Sequence, residues 1–425
     1  MASREPAGVA VSERGGRLKA VASLRDSPRF RLLWASNLFF FGGAWMQTLV
    51  LGWVVYDTTH SEFQLAVFTA ARLAPMLLGP LAGVMSDRHD RVRLLMIACG
   101  WGLSAVMVVA AMTSLGIVPY WALVLSGLAI GMAHSPSQPA RMSLVLDLVG
   151  RDNLSNANAL NSMAMNMTQV FGPAAGGALL STVGAPAALW ISAGWYAASL
   201  ALLWPLRRTA RTAPPVPEPV LRMLSGGIRS IVTNRLASAV LLITLAANVF
   251  LWPIYQGFMP VFAKSNLGLD AAGLGWLLTF SGIGGLIGSV VIAAMGDFRF
   301  KGGVFLVGTA IWATLWSLFA LSHLVVTSFA LMAAIGVMSS AFAVLQTTLL
   351  LMTTDPAIQG RALGVQELAI GVMPVSSLAL GAAAQTIGVG PTTFLSGLCL
   401  IAILVGITVW VPKLLTYGSP APVAP

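Results

Sequence analysis

The sequence predicts an all-α polytopic membrane protein, with twelve transmembrane helices arranged as two pseudo-symmetric six-helix bundles. Three observations carry this. Of the 425 residues, 57% are hydrophobic and 9% charged, against about a quarter charged in a soluble domain, and the mean hydropathy is +0.83. Apolar runs of about 20 residues, the length that crosses roughly 30 Å of hydrocarbon, recur along the whole chain. Between them the cations alternate, so that every second connection is basic and the others are nearly bare.

Residues 1–31 are polar and basic, with Arg4, Arg14, Arg17, Lys19, Arg25, Arg29 and Arg31 and no short apolar core before a cleavage site. They are expected to be a cytoplasmic tail rather than a signal peptide. The spans fall at 32–56, 63–86, 93–115, 118–138, 156–182, 186–206, 237–262, 272–296, 303–321, 324–352, 362–387 and 391–411. Arg88, Arg91 and Arg93 follow the second span, Arg141 and Arg151 the fourth, and Arg207, Arg208, Arg211, Arg222, Arg229 and Arg235 the sixth. Arg299 and Lys301 follow the eighth, Arg361 the tenth and Lys413 the twelfth, while Arg72 and Lys264 break the alternation. The positive-inside rule then places both termini in the cytoplasm, with the protein in the cell (inner) membrane.

The longest interruption, 207–236, holds Pro214, Pro215, Pro217 and Pro219 and divides the apolar runs six and six. It reads as a linker between a bundle at 32–206 and a second at 237–412, with 413–425 as a cytoplasmic tail. Val220, Leu221, Leu224, Ile228 and Ile231 recur near helical spacing with arginines between them, which suits either an amphipathic helix on the membrane surface or a plain tether.

The same pattern excludes other classes. A net charge of +10 does not imply a nucleic-acid partner, because the cations form no stripe on a soluble domain. Cys99 and Cys399 lie far apart inside apolar spans, and His60, His89, His134 and His323 are scattered, so no disulfide framework, metal site or cofactor is expected. No nucleophile-and-base motif or phosphate-binding loop occurs, and no enzyme activity is expected.

The halves repeat. Gly83-Val84-Met85-Ser86-Asp87-Arg88-His89-Asp90-Arg91-Val92-Arg93 after the second span corresponds to Ala293-Ala294-Met295-Gly296-Asp297-Phe298-Arg299-Phe300-Lys301 after the eighth. Gly177–Gly184 at the end of the fifth corresponds to Gly381–Gly388 at the end of the eleventh, and nearly equal stretches of chain separate the two pairs. Duplicated halves are a mark of secondary transporters.

Gly83 to Arg93 spells GxxxDRxxRxR, and with Gln138-Pro139-Ala140-Arg141, Asn158-Ala159-Leu160-Asn161 and Gly172-Pro173-Ala174-Ala175-Gly176-Gly177 the chain resembles the major facilitator superfamily, in particular its enterobactin and macrolide exporter subgroup. Two departures stand out: Ala293 replaces a usual glycine, and Ala159 and Thr168 replace glycines of the fifth-helix antiporter motif, which keeps its Gly-Pro-x-x-Gly-Gly end. The resemblance implies alternating access and export of small amphipathic molecules of drug or siderophore class by proton antiport. A proton symporter importing a solute is the alternative, and a membrane receptor or scaffold the alternative of another class. The expected partners are the bilayer, a small molecule and a coupling proton, with the chain a monomer.

Asp87 suits a cytoplasmic latch, since a helix-end carboxylate can meet the positive N-terminus of another helix and pair with arginines such as Arg88 and Arg91. The resemblance places its counterpart at the eleventh helix, near Arg361, with Asp297 as the equivalent in the second half. Gly79 with Gly83, Gly172 with Gly176, and Gly284 with Gly288 are each four apart, which lets backbones approach, and Pro173 and Gly177 complete the fifth-helix element. Asn158, Ser162, Met165, Gln169, Gly172 and Gly176 share one helical face. Arg72 lies near mid-span, where an arginine costs about 2.5–3.5 kcal/mol; it either snorkels to an interface or faces a cavity or partner. Glu367, on the span that the resemblance places beside it, is the candidate partner and, with Arg72, a proton-coupling candidate. Cavity candidates, on the helices that the resemblance puts at the centre, are Asn37, Gln47, His134, Gln138, Asn248, Trp252, Tyr255, Gln256 and Gln346. Asn248, Trp252 and Tyr255 step by four and three along one face. A cavity of amides and aromatics suits a bulky, largely neutral amphipathic ligand, and His134 could equally be a packing residue.

Overall fold

In the computed structural model residues 22–79, 89–150, 153–208, 220–296, 298–355 and 358–418 are described, and in them the chain is all-α. Only helices satisfy every backbone hydrogen bond within one membrane-crossing segment. After a short turn of helix, Ala22–Asp26, α1 runs Pro28–Thr59. The Ser27 side chain accepts the Phe30 N–H and Pro28 starts the first turn, while His60 ends the helix in the left-handed conformation at φ 49°. α2, Glu62–Leu73, is capped by Ser61 and tightens through a 3₁₀ turn, Ala74–Leu78, at Pro75. α3 is Arg91–Ser114, capped by Asp90, and α4 is Tyr120–Val149. The helical stretch Leu154–Leu203 breaks at Gly184 (φ 82°, ψ 171°), a conformation that glycine adopts without strain, into α5 (154–183) and α6 (185–203).

Val220–Thr233 forms a separate helix ahead of α7, which begins at Arg235 and continues through two widened turns to Asn266. α8 is Ala271–Met295, α9 Lys301–Leu321 and α10 Val325–Thr353. α11 runs from Gln359 to Ile387 with an irregularity at Val372, and α12 is Val389–Trp410. Among the described residues nine helical segments are long and apolar enough to cross a membrane, α5 and α6 counting as one such stretch. Large apolar side chains are fully presented on the outer surface, among them Ile97, Val326 and Val409. A soluble protein would not expose so much apolar area, and lipid is the environment that accepts it.

α4 corrects the expected boundary. It does not stop near residue 138 but continues through Pro136 and Pro139 to Val149, and Arg141, placed by its sequence context in a basic loop, is 1% exposed inside the helix. Prolines are tolerated within membrane helices; Ser137 sits between these two, and its hydroxyl donates back to the Ala133 carbonyl at 2.6 Å.

Small residues set the helix contacts. Gly284 of α8 lies so close to the Ala333 carbonyl of α10 that a Cβ could not fit, and Gly288 faces Val337 and Ser340 on the same helix. Gly284→Val is therefore expected to destabilise the protein by about 1–3 kcal/mol, the usual range for overpacking, read as a lower unfolding temperature in detergent; an unchanged temperature would mean that the α8–α10 contact is looser than it looks.

Candidate substrate cavity

At one end of the molecule α1 and α2 are tied to α7 and α11. Asp57 of α1 forms an ion pair with Lys264 of α7, and the Tyr56 and Ser265 hydroxyls meet at 2.6 Å. Gln385 of α11 accepts from the Ser61 hydroxyl at 2.8 Å and from the Phe63 N–H at 3.2 Å. Gly381 packs directly on Ala66. α5 and α8 also meet near this end: a Cβ on Gly275 would lie 2.8 Å from the Pro173 carbonyl, one on Gly177 2.6 Å from the Ala271 carbonyl, and one on Gly282 2.9 Å from the Gln169 carbonyl. Farther along the same two helices, Ser162 and Asn166 of α5 and Ser289 of α8 line open space instead. α5 and α8 are thus closed together at the Asp57–Lys264 end and part toward the other, whereas α2, with the turn that follows it, and α11 stay in contact as far as Gly79 and Glu367.

Between the two sets of helices lies a cavity of about 650 Å³, within the usual range for small-molecule sites. Gln138, Asn248, Trp252, Tyr255, Gln256 and Gln346, all cavity candidates in the sequence, line it. The Asn248 amide donates to the Thr244 carbonyl at 2.8 Å. Ser162, Met165 and Gln169 of the polar α5 face line it too. An adjoining recess of about 210 Å³ is lined by Gln47, Arg72 and His134, and Trp45, Met76, Met165, Gln169 and Gln256 border both spaces.

Arg72 reaches across the boundary between the halves. Its guanidinium donates to the Thr48 hydroxyl of α1 at 2.9 Å and to Gln256 Oε1 of α7 at 3.1 Å. The expected pairing with Glu367 is not formed: the Glu367 carboxylate instead lies beside Gly79, seven residues farther along the chain, just past the 3₁₀ turn that follows α2. Gln47 donates to Ser192 at 2.7 Å, and His134 Nε2 meets the Tyr196 hydroxyl at 3.0 Å while its ring stacks on Phe40 at 4.7 Å.

Asn37 lies away from the cavity, in a buried polar cluster of α1, α4, α5 and α6. Its amide donates to Asn161 and accepts from Arg141, both at 2.5 Å, and Arg141 also donates to Ser36 at 3.1 Å and stacks over Phe40 at 4.4 Å. Of the gating candidates, Arg91 pairs with Asp147 of α4 at 2.5 Å, and Arg361 of α11 packs against Gly226 and Gly227 of the Val220–Thr233 helix. Gly83, Asp87, Arg88 and Asp297 lie outside the described residues. Gly172 and Gly176 face α1 at Gly42, Trp45 and Met46.

The sequence reading overlooked most of the aromatic wall. Trp45 and Tyr255 (ring centres 6.3 Å), Tyr255 and Trp252 (5.9 Å), Trp252 and Trp312 (5.6 Å), and Tyr255 and Trp316 (6.5 Å) form one continuous set of rings. Trp312 and Trp316 are four apart on α9, a spacing that could have marked a shared face, although α9 is not a helix that the resemblance puts at the centre.

A helical membrane protein with a polar and aromatic cavity between two sets of helices, closed at one end, is a secondary transporter that moves small molecules by alternating access. Residues 19–419 match the family described as transmembrane secretion effector, and the chain belongs to that family, within the major facilitator superfamily. The multidrug efflux pump Tap of Mycolicibacterium fortuitum is 26% identical over 376 residues, covering 85% of this chain and 90% of the pump. The staphyloferrin A transporter of Staphylococcus aureus is 22% identical over 384 residues, covering 88% and 94%, and the enterobactin exporter of Shigella flexneri 26% over 349 residues, covering 80% and 81%. Among solved structures, a bacterial homologue of the lysosomal transporter Spinster in an inward-facing conformation superposes with a TM-score of 0.69 at 15% identity over 92% of this chain and 99% of that one. A POT family transporter in complex with 5-aminolevulinic acid does so with a TM-score of 0.74 at 11% identity over 91% and 97%. These two establish the fold alone.

Proposed function

We propose that the protein exports small amphipathic molecules from the cytoplasm by proton antiport, with twelve spans in two six-helix bundles and both termini cytoplasmic. The cavity that is closed at the Asp57–Lys264 end and opens between α5 and α8 toward the other carries this reading. The parted end is the one bearing Arg91 and Arg361, and by the positive-inside rule it faces the cytoplasm, so the cavity would be loaded from inside. The multidrug pump and the enterobactin exporter among the relatives support outward movement. Glu367, exposed beside Gly79, is the carboxylate proposed to take the coupling proton, and Asp87 the residue proposed to latch the cytoplasmic side.

Expression in an efflux-deficient bacterium tests this, scoring accumulation of a panel of antibiotics and retention of siderophores. At least one compound should accumulate less, a protonophore should restore its accumulation, and Asp87→Ala should do the same while the protein stays in the membrane. Proton-driven uptake of a solute into right-side-out vesicles, with no compound excluded from cells, would replace this reading with the symporter.

A further inference from the structure

We infer that the substrate is an anion: an aromatic amphipath whose acidic head, a carboxylate or acidic phenol, docks at Arg72 while its rings lie along the wall from Trp45 to Trp316. The inference rests on the transport reading above and names the chemistry of its cavity. No acidic side chain and no lysine lines the cavity or its recess among the described residues; Arg72 is the fixed charge there. Its two hydrogen-bond partners, Thr48 and Gln256, are neutral, and among the described residues it forms no ion pair. A guanidinium in so apolar a place is held at a cost unless an anion reaches it, and its planar fork fits a carboxylate.

The same residue disfavours a lipophilic cation, which would meet like charge at Arg72. The rings provide the apolar contact: Trp45, Tyr255, Trp252, Trp312 and Trp316 follow one another at 5.6–6.5 Å, and Gln256, next to Tyr255 in the chain, is the group that holds Arg72. The charged head and the stacking surface are therefore adjacent.

The test uses three fluorescent probes of one shape: dansylglycine (anion), dansylglycinamide (neutral) and a dansylamidoethyl-trimethylammonium salt (cation). Each is titrated onto the full-length protein in lipid nanodiscs, reading energy transfer from tryptophan, with protein-free nanodiscs as the blank. Dansylglycine should bind about ten-fold or more tighter than the amide, the margin expected of one charge-assisted contact, and the cation weakest. Arg72→Gln should erase the anion's advantage over the neutral probe, and Arg72→Lys should keep part of it. Equal affinity for anion and amide, or a preference for the cation, in the unaltered protein overturns the inference whatever the variants do, as does an anion preference that survives in Arg72→Gln. Because binding is measured without transport, a demonstration of uptake would remove the export reading and leave this one standing, and the reverse holds too.

Discussion

A disulfide between Ala66→Cys and Gly381→Cys is expected to abolish transport, and reduction to restore it. Gly381 of α11 rests directly on Ala66 of α2, with the Phe63 backbone beside it, closer than the Cβ spacing of a relaxed disulfide, so the two helices must ease apart for the bond to close. Alternating access requires this end to part when the cavity opens the other way; a covalent tie across it leaves the cavity facing one side only. The natural cysteines, one buried and one exposed, are first replaced by Cys99→Ser and Cys399→Ser, and each single cysteine variant is the control. The expected loss is at least ten-fold on oxidation, with recovery by reductant. Full transport in protein shown by gel shift to be cross-linked would mean that α2 and α11 move as one unit, and the gate would have to be sought elsewhere.

The second large effect concerns stability. Arg141→Ala removes the donor to Asn37 and Ser36 and the cation over Phe40, leaving a space among buried groups and an Asn37 oxygen without its strongest partner. Hydrogen bonds to a charged group contribute about 1.5–3 kcal/mol each, so a loss on the order of 3 kcal/mol or more is expected. Arg141→Lys, which keeps the charge and loses the fork, should fall in between. The unfolding temperature of the purified protein decides it; an unmoved value would show that the cluster is satisfied by water.

The apolar runs made the helices legible, because burial in lipid demands uninterrupted hydrophobic length and little else imitates it. Side-chain direction was harder to read. Asn248, Trp252 and Tyr255 could be placed together because they recur along one face of α7, and with Gln256 they line the cavity. Trp312 and Trp316 escaped notice because a tryptophan in an apolar span carries no mark of whether it meets lipid or a ligand. Arg141 falls among the loop cations in the alternation of basic and bare connections; what holds it inside α4 is the polar cluster around Asn37, assembled from four helices distant in the sequence. The Arg72–Glu367 pairing failed on register, since hydropathy says which helices are buried and nothing of how far one is slid along another.

The connections at the Asp57–Lys264 end are brief: His60 and Ser61 join α1 to α2, Gly184 alone joins α5 to α6, and Gly388 alone joins α11 to α12. That face of the membrane therefore offers few handles to a protease or an antibody. Among the described residues the helix that stands apart from the spans, Val220–Thr233, packs on Arg361 at the opposite side, so control of the transporter by a binding partner has more protein to grip there.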